Sequence, residues 1–406
     1  MPRTADPTPP PHDLRFAEFF AGIGLVRLGL QRASPAWRCV FANDLDPAKR
    51  AIYADHFGHA PSADDVHRLD PAAVPDCDLA TASFPCTDLS QAGAQRGIRA
   101  DESSAFWGFH RVLREMGDRR PRAVLLENVI GMLTSAGGLD FRDAMLAMNQ
   151  LGYRVDPLFL DARWFVPQSR PRLFIVCTTP GSTPGPHPAS GSSPAPTEDI
   201  ASSQDLRAES RLRPQRLLEA VARFAGEVDF AFRDLPDPPT APRLTLADVI
   251  QDPPDAHADW WSPKRTDYLY HQMFERHQAW VNDHRSGGRF AYATAFRRVR
   301  ATPQGKRSMA ELRTDGIAGC LRTPKGGSAR QILVRVGRGR FDVRLLSAVE
   351  CAALMGAEGY AIDGPLTRAL FAFGDAVCVD AVAWLAQHYL IGVATPAIRD
   401  AAPAGA

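Results

Sequence analysis

Short apolar runs alternate with stretches of helical period through the first half of the chain. Arg15–Phe20 is one such run. It ends in Ala21-Gly22-Ile23-Gly24, after which Leu25, Leu28 and Leu30 recur at helical spacing. Arg38–Ala42 is a second strand, stopping at Asn43-Asp44, and Asp78–Ser83 and Ala123–Leu126 are two more, with the helical stretch Ala105–Met116 between them. Arg154–Leu160 and Leu173–Cys177 read as a closing pair. Strands that alternate with helices predict an α/β fold with a doubly wound, mostly parallel sheet, whose ligands bind at the carboxyl ends of the strands.

The pattern breaks after Cys177. The stretch 178–203 is dense in Pro, Gly, Ser and Thr without an apolar period, which predicts a flexible surface segment. Patterning over 204–343 is weak and irregular, with Trp260, Trp261 and Trp280 as candidate core or contact aromatics. Order returns at Ser347-Ala348-Val349-Glu350, a helix N-cap with its capping-box glutamate, and Ala376–Tyr389 predicts a last amphipathic helix. The expected organisation is a disordered start over 1–12, a first domain over 13–177, the flexible segment, and a smaller irregular domain over 204–343. A C-terminal part over 344–395 then sends its last helix back to the first domain, before a disordered tail over 396–406.

Composition changes this picture in one respect. The net charge is only +1, yet Arg285–Arg344 carries 15 Lys/Arg against 3 Asp/Glu, a local +12 that leaves −11 for the remainder. One strongly basic segment in an otherwise acidic chain suggests a face built for a polyanion, although a solvated arginine-rich loop has the same composition. The seven cysteines form no CxxC pair, which argues against a disulfide framework or zinc site and for a reducing cytoplasm. Met1–Pro11 lacks the apolar core of a signal peptide, and no uninterrupted apolar stretch reaches membrane-spanning length.

The candidate chemistry lies at the predicted strand ends. Gly22 and Gly24 at a strand-to-helix turn let the backbone approach a ligand, and Asp44, ending the second strand, suits ribose hydroxyls. Asp65 in the next loop suits an adenine amino group. These features specify only a nucleotide or nucleoside cofactor. Cys86, set by proline in Ser83-Phe84-Pro85-Cys86, would stand at the same rim as the carboxyl of Glu127 in Glu127-Asn128-Val129. Gln168, Arg170 and Arg172 alternate along an extended segment, so one face would present all three. Taken singly, each is an ordinary buried cysteine, surface acid or ion-pair arginine. Together they make a nucleophile, an acid and its cations.

In this order the residues resemble the DNA cytosine-5 methyltransferase family: Phe-Ala-Gly-Ile-Gly at 20–24, Asp44, Asp65, Phe-Pro-Cys at 84–86, Glu-Asn-Val at 127–129 and Gln-x-Arg-x-Arg at 168–172. Arg344-Leu345-Leu346-Ser347 with Glu350-Cys351, and Phe373-Gly374-Asp375-Ala376-Val377, extend the likeness toward the C-terminus. The resemblance implies a Rossmann-like methyltransferase fold and S-adenosyl-L-methionine as methyl donor. It also implies double-stranded DNA as substrate, an extrahelical cytosine, and covalent attack by Cys86 on C6. Glu127 would hold the base at N3, and Arg172, less directly Arg170, would stabilise the activated ring. Phe20, Gly22, Gly24, Asp44, Leu45, Asp65, Pro85, Asp375 and Val377 carry over as cofactor contacts, and Thr87–Ser104 as a closing loop. Residues 204–343 would recognise the target, with most of their arginines on phosphates. A monomer, a cytoplasmic setting and a functional partnership with a restriction nuclease are also implied.

Two positions depart from the family pattern: Thr87 follows Pro-Cys where Gln is common, and Asp375 replaces the usual Asn. A carboxylate at 375 would either alter cofactor handling or cap the helix that follows. The Cys-Phe-Thr signature of the branch that modifies transfer RNA is absent, and an intact Cys86, Glu127 and Arg172 speak against a non-catalytic DNA-binding relative.

Overall fold

The computed structural model describes residues 13–85, 105–180, 209–252, 259–302, 305–324 and 330–395. The expectations for 1–12, Cys86, the loop Thr87–Ser104, most of the Pro/Gly/Ser-rich segment and the tail 396–406 lie outside the described residues. The chain divides into two compact units, the first comprising Met1–Leu160, Pro171–Pro238 and Val382–Ala406, the second Asp161–Arg170 and Pro239–Ala381.

The first unit is built on six strands: β1 (Leu14–Phe19), β2 (Trp37–Asn43), β3 (Leu79–Ala82), β4 (Ala123–Val129), β5 (Arg154–Asp161) and β6 (Pro171–Thr178), in the order β2-β1-β3-β4-β6-β5. β2, β1, β3 and β4 are parallel, and β6 runs against β4. β3 and the first six residues of β4 are buried throughout, which is why they read as unbroken apolar runs. Helices α1 (Leu25–Ala33), α2 (Pro47–Phe57), α3 (Ala105–Met116) and α4 (Leu139–Gln150) alternate with the strands, and α5 (Gln215–Phe224) follows later. α2 starts where its sequence says it should: the carboxylate of Asp46 accepts from the amides of Ala48 and Lys49, with Pro47 at the first helical position. The strand order reverses between β1 and β3, so their carboxyl ends flank the crevice where ligands of such sheets bind.

The second unit conceals regular structure behind its weak periodicity. β7 (Ala291–Thr302), β8 (Gly305–Arg313), β9 (Ile332–Gly337) and β10 (Arg340–Leu345) form an antiparallel sheet in the order β10-β9-β7-β8. Its core gathers Leu269, Val281, Ala293, Ala295, Val334 and Val343, with Trp261 and Trp280 packed against it. Helices α6 (Leu246–Val249), α7 (Pro263–His271) and α8 (Glu275–Arg285) precede the sheet; α9 (Ala348–Ala353) and α10 (Leu366–Asp375) follow it. The Ser347–Glu350 capping box is present as expected. Glu350 also takes both guanidinium nitrogens of the buried Arg344, so one carboxylate closes the helix and neutralises an interior cation.

The chain returns to the first unit through α11 (Val379–Leu385), a turn of wider helix over Ala386–Leu390, and α12 (Ile391–Ala394). Leu366–Ala394 is long and apolar enough to cross a membrane by length and composition, but 78 % of its most apolar window is buried inside the protein itself. Its Tyr389 hydroxyl donates to the buried Asp156 on β5, whose carboxylate also receives Arg213 Nη2 and the Arg233 amide.

Candidate active site

The strand-to-helix turn after β1 is strained in a regular way. Phe20, Gly22 and Gly24 all take left-handed backbone angles, with φ of 55°, 57° and 78°. Glycine does this freely, whereas a phenylalanine there costs about 1–3 kcal/mol, a strain typical of ligand-binding turns. Gly24 has a second constraint, since a Cβ would lie 2.8 Å from the ring of Tyr53. Gly22 faces open space: a Cβ there would meet nothing within 4 Å.

Asp44, at the end of β2, holds this turn. Its Oδ2 accepts from the Gly22 amide at 2.7 Å and its Oδ1 from the Asp46 amide at 2.8 Å. A carboxylate has about four acceptor positions, so two remain for hydroxyls arriving from outside. Leu45 beside it is 59 % exposed, an apolar surface at the strand end on which a planar ring can rest. Asp65 is half-buried in the next loop and fixes its own turn by accepting from the His67 amide. The loop is tied to β2 through Asn43, whose side-chain amide donates to the carbonyls of Ser62 and Asp64.

Beneath the turn lies a carboxyl that sequence reasoning missed. Glu18 on β1 is 1 % exposed, and it accepts from the Arg27 amide and the Tyr53 hydroxyl. Burial outweighs these bonds and pushes its pKa up to about 8. The signal was one acid inside the apolar run Phe16–Phe20, a position that alternation alone does not assign to a cluster. An unfolded glutamate ionises near pH 4.5, whereas Glu18 in the fold stays protonated to about pH 8. Its contribution to stability is therefore complete below about pH 4.5 and is lost as pH rises toward 8. Glu18→Gln is expected to flatten that fall by about 2–3 kcal/mol between pH 5.5 and 7.5, measured by urea unfolding. An unchanged pH slope would refute the assignment.

At the far side of the crevice, Phe84 is buried and its carbonyl accepts from Asn128 Nδ2 at 3.3 Å. Asn128, the middle residue of Glu-Asn-Val, thereby holds the backbone that leads through the exposed Pro85 to Cys86. Glu127 and Arg172 come together in an ion pair, with Arg172 Nε 3.0 Å from Glu127 Oε1. In the β4–β6 register Arg172 stands opposite Val129, so Glu127 is its diagonal neighbour on the same face. With side chains 15 % and 10 % exposed, the pair is mostly shielded from water yet open at one end.

Arg170 does not join that face, which corrects the expectation drawn from alternation. Between Arg170 and Pro171 the chain passes from the second unit to the first. The Arg170 guanidinium is enclosed in the second unit and donates to the carbonyls of Leu321, Gly374 and Ala376. It thus closes the carboxyl end of α10, where unpaired carbonyls and the helix dipole both call for a cation. Gln168 behaves alike, donating to the Leu354 carbonyl and accepting from the Leu321 amide. A Cβ on Gly374 would run into the backbone of Arg322 and Thr323, which explains the glycine of Phe-Gly-Asp. Asp375 is the exposed last residue of α10, and the following helix begins only at Val379. Its charge therefore sits at a helix carboxyl end, four residues before the next helix begins. Val377 is buried in the same unit.

The basic segment is likewise divided. Arg335 is buried against Asp252 and Asp342 with Trp260 and Phe290 on its faces, and Arg300, Arg313 and Arg340 pair with Glu311, Asp315 and Asp342. These arginines, with Arg344, hold the unit together, so its positive charge is only partly available to a ligand.

Sheet order, glycine turn and acidic strand end define the Rossmann-like α/β fold of S-adenosylmethionine-dependent methyltransferases. The sequence model of the C-5 cytosine-specific DNA methylase family matches residues 14–390, and the chain belongs to that family. Among its relatives, the Type II methyltransferase M.BanI of Aneurinibacillus aneurinilyticus is 36 % identical over 168 residues, 40 % of this chain and 38 % of the relative. The Type II methyltransferase M.HhaI of Haemophilus parahaemolyticus is 31 % identical over 165 residues, 40 % of this chain and 49 % of the relative. The aligned stretch thus spans less than half the length of either. The Entamoeba histolytica methyltransferase EhMeth shares the fold, with a TM-score of 0.59 at 12 % identity over 93 % of this chain and 98 % of its own.

Proposed function

We propose that this protein is a DNA cytosine-5 methyltransferase that modifies C5 of a cytosine in a specific double-stranded sequence. The observation that carries the reading is the Glu127–Arg172 pair at the carboxyl rim, next to the Asn128-held segment that leads to Cys86. S-adenosyl-L-methionine, when bound, supplies a methyl group activated by its sulfonium. The residues fit it: the open side of Gly22 admits the cofactor, free acceptor positions on Asp44 suit the ribose, and Leu45 and Asp65 suit the adenine face and amino group.

The cytosine must leave the stack, since C6 cannot be attacked inside the duplex. The Cys86 thiolate adds to C6 while Glu127, held by Arg172, shares a proton with N3, so the displaced electron pair makes C5 nucleophilic. Once C5 carries the methyl group, a base removes its proton and the electrons of that bond expel Cys86. In this reading Arg172 acts on the chemistry through Glu127, and Arg170 supports the fold of the second unit rather than the reaction. Protection of DNA against a cognate nuclease is the role we assign.

Incubation with methyl-labelled S-adenosylmethionine and duplex DNA should place label in 5-methylcytosine. Label confined to RNA, or no transfer to any duplex, would overturn the reading. Glu127→Gln keeps the shape but cannot exchange the proton, and is expected to lower turnover about a hundredfold in single-turnover assays.

A further inference from the structure

Part of the second unit's positive charge that no carboxylate neutralises lies on a two-stranded ribbon. β7 pairs with β9 only along Ala291–Ala295 and then continues with β8 as its sole partner strand. From Phe296 opposite Glu311 to Thr302 opposite Gly305 the two strands run together for seven residue pairs, about 20 Å. A bridge from Ala310 to Met273 steadies the base, and beyond it neither strand has another strand beside it among the described residues.

The side chains on this ribbon are poorly chosen for its own stability. Arg300 and Arg307 stand directly opposite each other, a like-charge pair that destabilises a ladder. The single acid, Glu311, is taken by Arg300. Arg298, Lys306 and Arg307 have no carboxylate partner among the described residues. Val299 is 66 % exposed between them. At the base, Arg297 turns into a cleft of about 450 Å³ lined also by Trp261 and Arg265. The Arg265 guanidinium lies 3.7 Å from the Trp261 ring centre, and the buried Arg297 Nε has no partner. Burial and the neighbouring Arg297 lower the pKa of Arg265, as two cations without an anion between them must.

The major groove of DNA, about 12 Å wide, admits a two-stranded ribbon, and an exposed aliphatic side chain suits the methyl group of thymine. We propose that this ribbon enters the major groove of the target DNA, Arg298, Lys306 and Arg307 gripping phosphates along its walls. Val299 meets base edges, and a phosphate occupies the Arg265–Arg297 cleft. The inference rests on the DNA-methylating reading above, and names the element that recognises the sequence.

The test uses the full chain carrying Arg298→Ala, Lys306→Ala and Arg307→Ala together, and separately Val299→Ser. These side chains are exposed, so urea midpoints and S-adenosylmethionine binding should match the parent protein. The triple variant is expected to bind duplex DNA at least about thirtyfold more weakly, with a salt-dependence slope shallower by about 3. Val299→Ser is expected to admit alternative bases at one position of the methylated site, read by bisulfite sequencing of a random duplex pool. If the parent protein methylates DNA while the triple variant keeps its affinity and slope, the ribbon proposal fails and the reaction stands. If the parent binds DNA through these residues but transfers no methyl group, the reaction fails and the ribbon stands. No binding of duplex DNA by the parent protein overturns both.

Discussion

Cys86→Ser is expected to abolish methyl transfer to DNA, by about 10⁴-fold or more, without weakening the binding of S-adenosylmethionine. The step that creates a nucleophile at C5 is addition of an anion to C6. A serine hydroxyl near neutral pH is almost wholly protonated and is far less nucleophilic than a thiolate. The cofactor contacts proposed at Gly22, Asp44, Leu45 and Asp65 are untouched by the change, so equilibrium binding of the cofactor should persist. Single-turnover transfer to a duplex separates the two quantities. Transfer surviving the substitution would mean that the ring is activated without a covalent bond, and the mechanism would have to be redrawn around Glu127.

Arg170→Met is expected to cost about 3 kcal/mol or more of folding stability, with little loss of turnover per folded molecule. Methionine fills much of the same volume but donates nothing. The carbonyls of Leu321, Gly374 and Ala376 would then be left in the interior without their donor, each costing about 1–3 kcal/mol. Against a total stability of about 5–15 kcal/mol, that is a large share. Urea unfolding reads the loss, and Arg170→Lys, which can satisfy part of the set, should recover part of it. A variant that unfolds like the parent but turns over a hundredfold more slowly would return Arg170 to the chemistry.

The contrast between Arg170 and Arg172 shows where sequence reasoning loses its grip. Period-two alternation says which side chains share a face of an extended segment. It does not say that the backbone leaves one folded unit for another between them. Glu127 with Arg172, and Gly22 with Asp44, were legible because their partners sit at strand ends whose apolar runs are unmistakable. Glu18 was not, because its partners Arg27 and Tyr53 come from two different helices and no local spacing links the three. The second sheet escaped for another reason. β7 is buried at one end and exposed at the other, so its Ala-Tyr-Ala-Thr-Ala start and Arg-Arg-Val-Arg continuation obey different rules within one strand. The charge surplus was visible from the sequence, but its division between interior ion pairs and a projecting ribbon depends on which acids the fold brings near.

The exchange of segments between the two units has a consequence for how the chain can be cut and assembled. A fragment over 239–381 would omit Asp161–Arg170, and with it the Gln168 and Arg170 donors on which its interior carbonyls depend. A fragment ending at 238 would omit Tyr389, leaving Asp156 one donor short at the centre of β5. During synthesis the first unit must therefore wait, incomplete, until the last described helix has left the ribosome. Neither unit is an independent module in the hereditary sense: the second keeps an essential piece inside the first's stretch of the gene, and the first is completed only by a segment that follows the second.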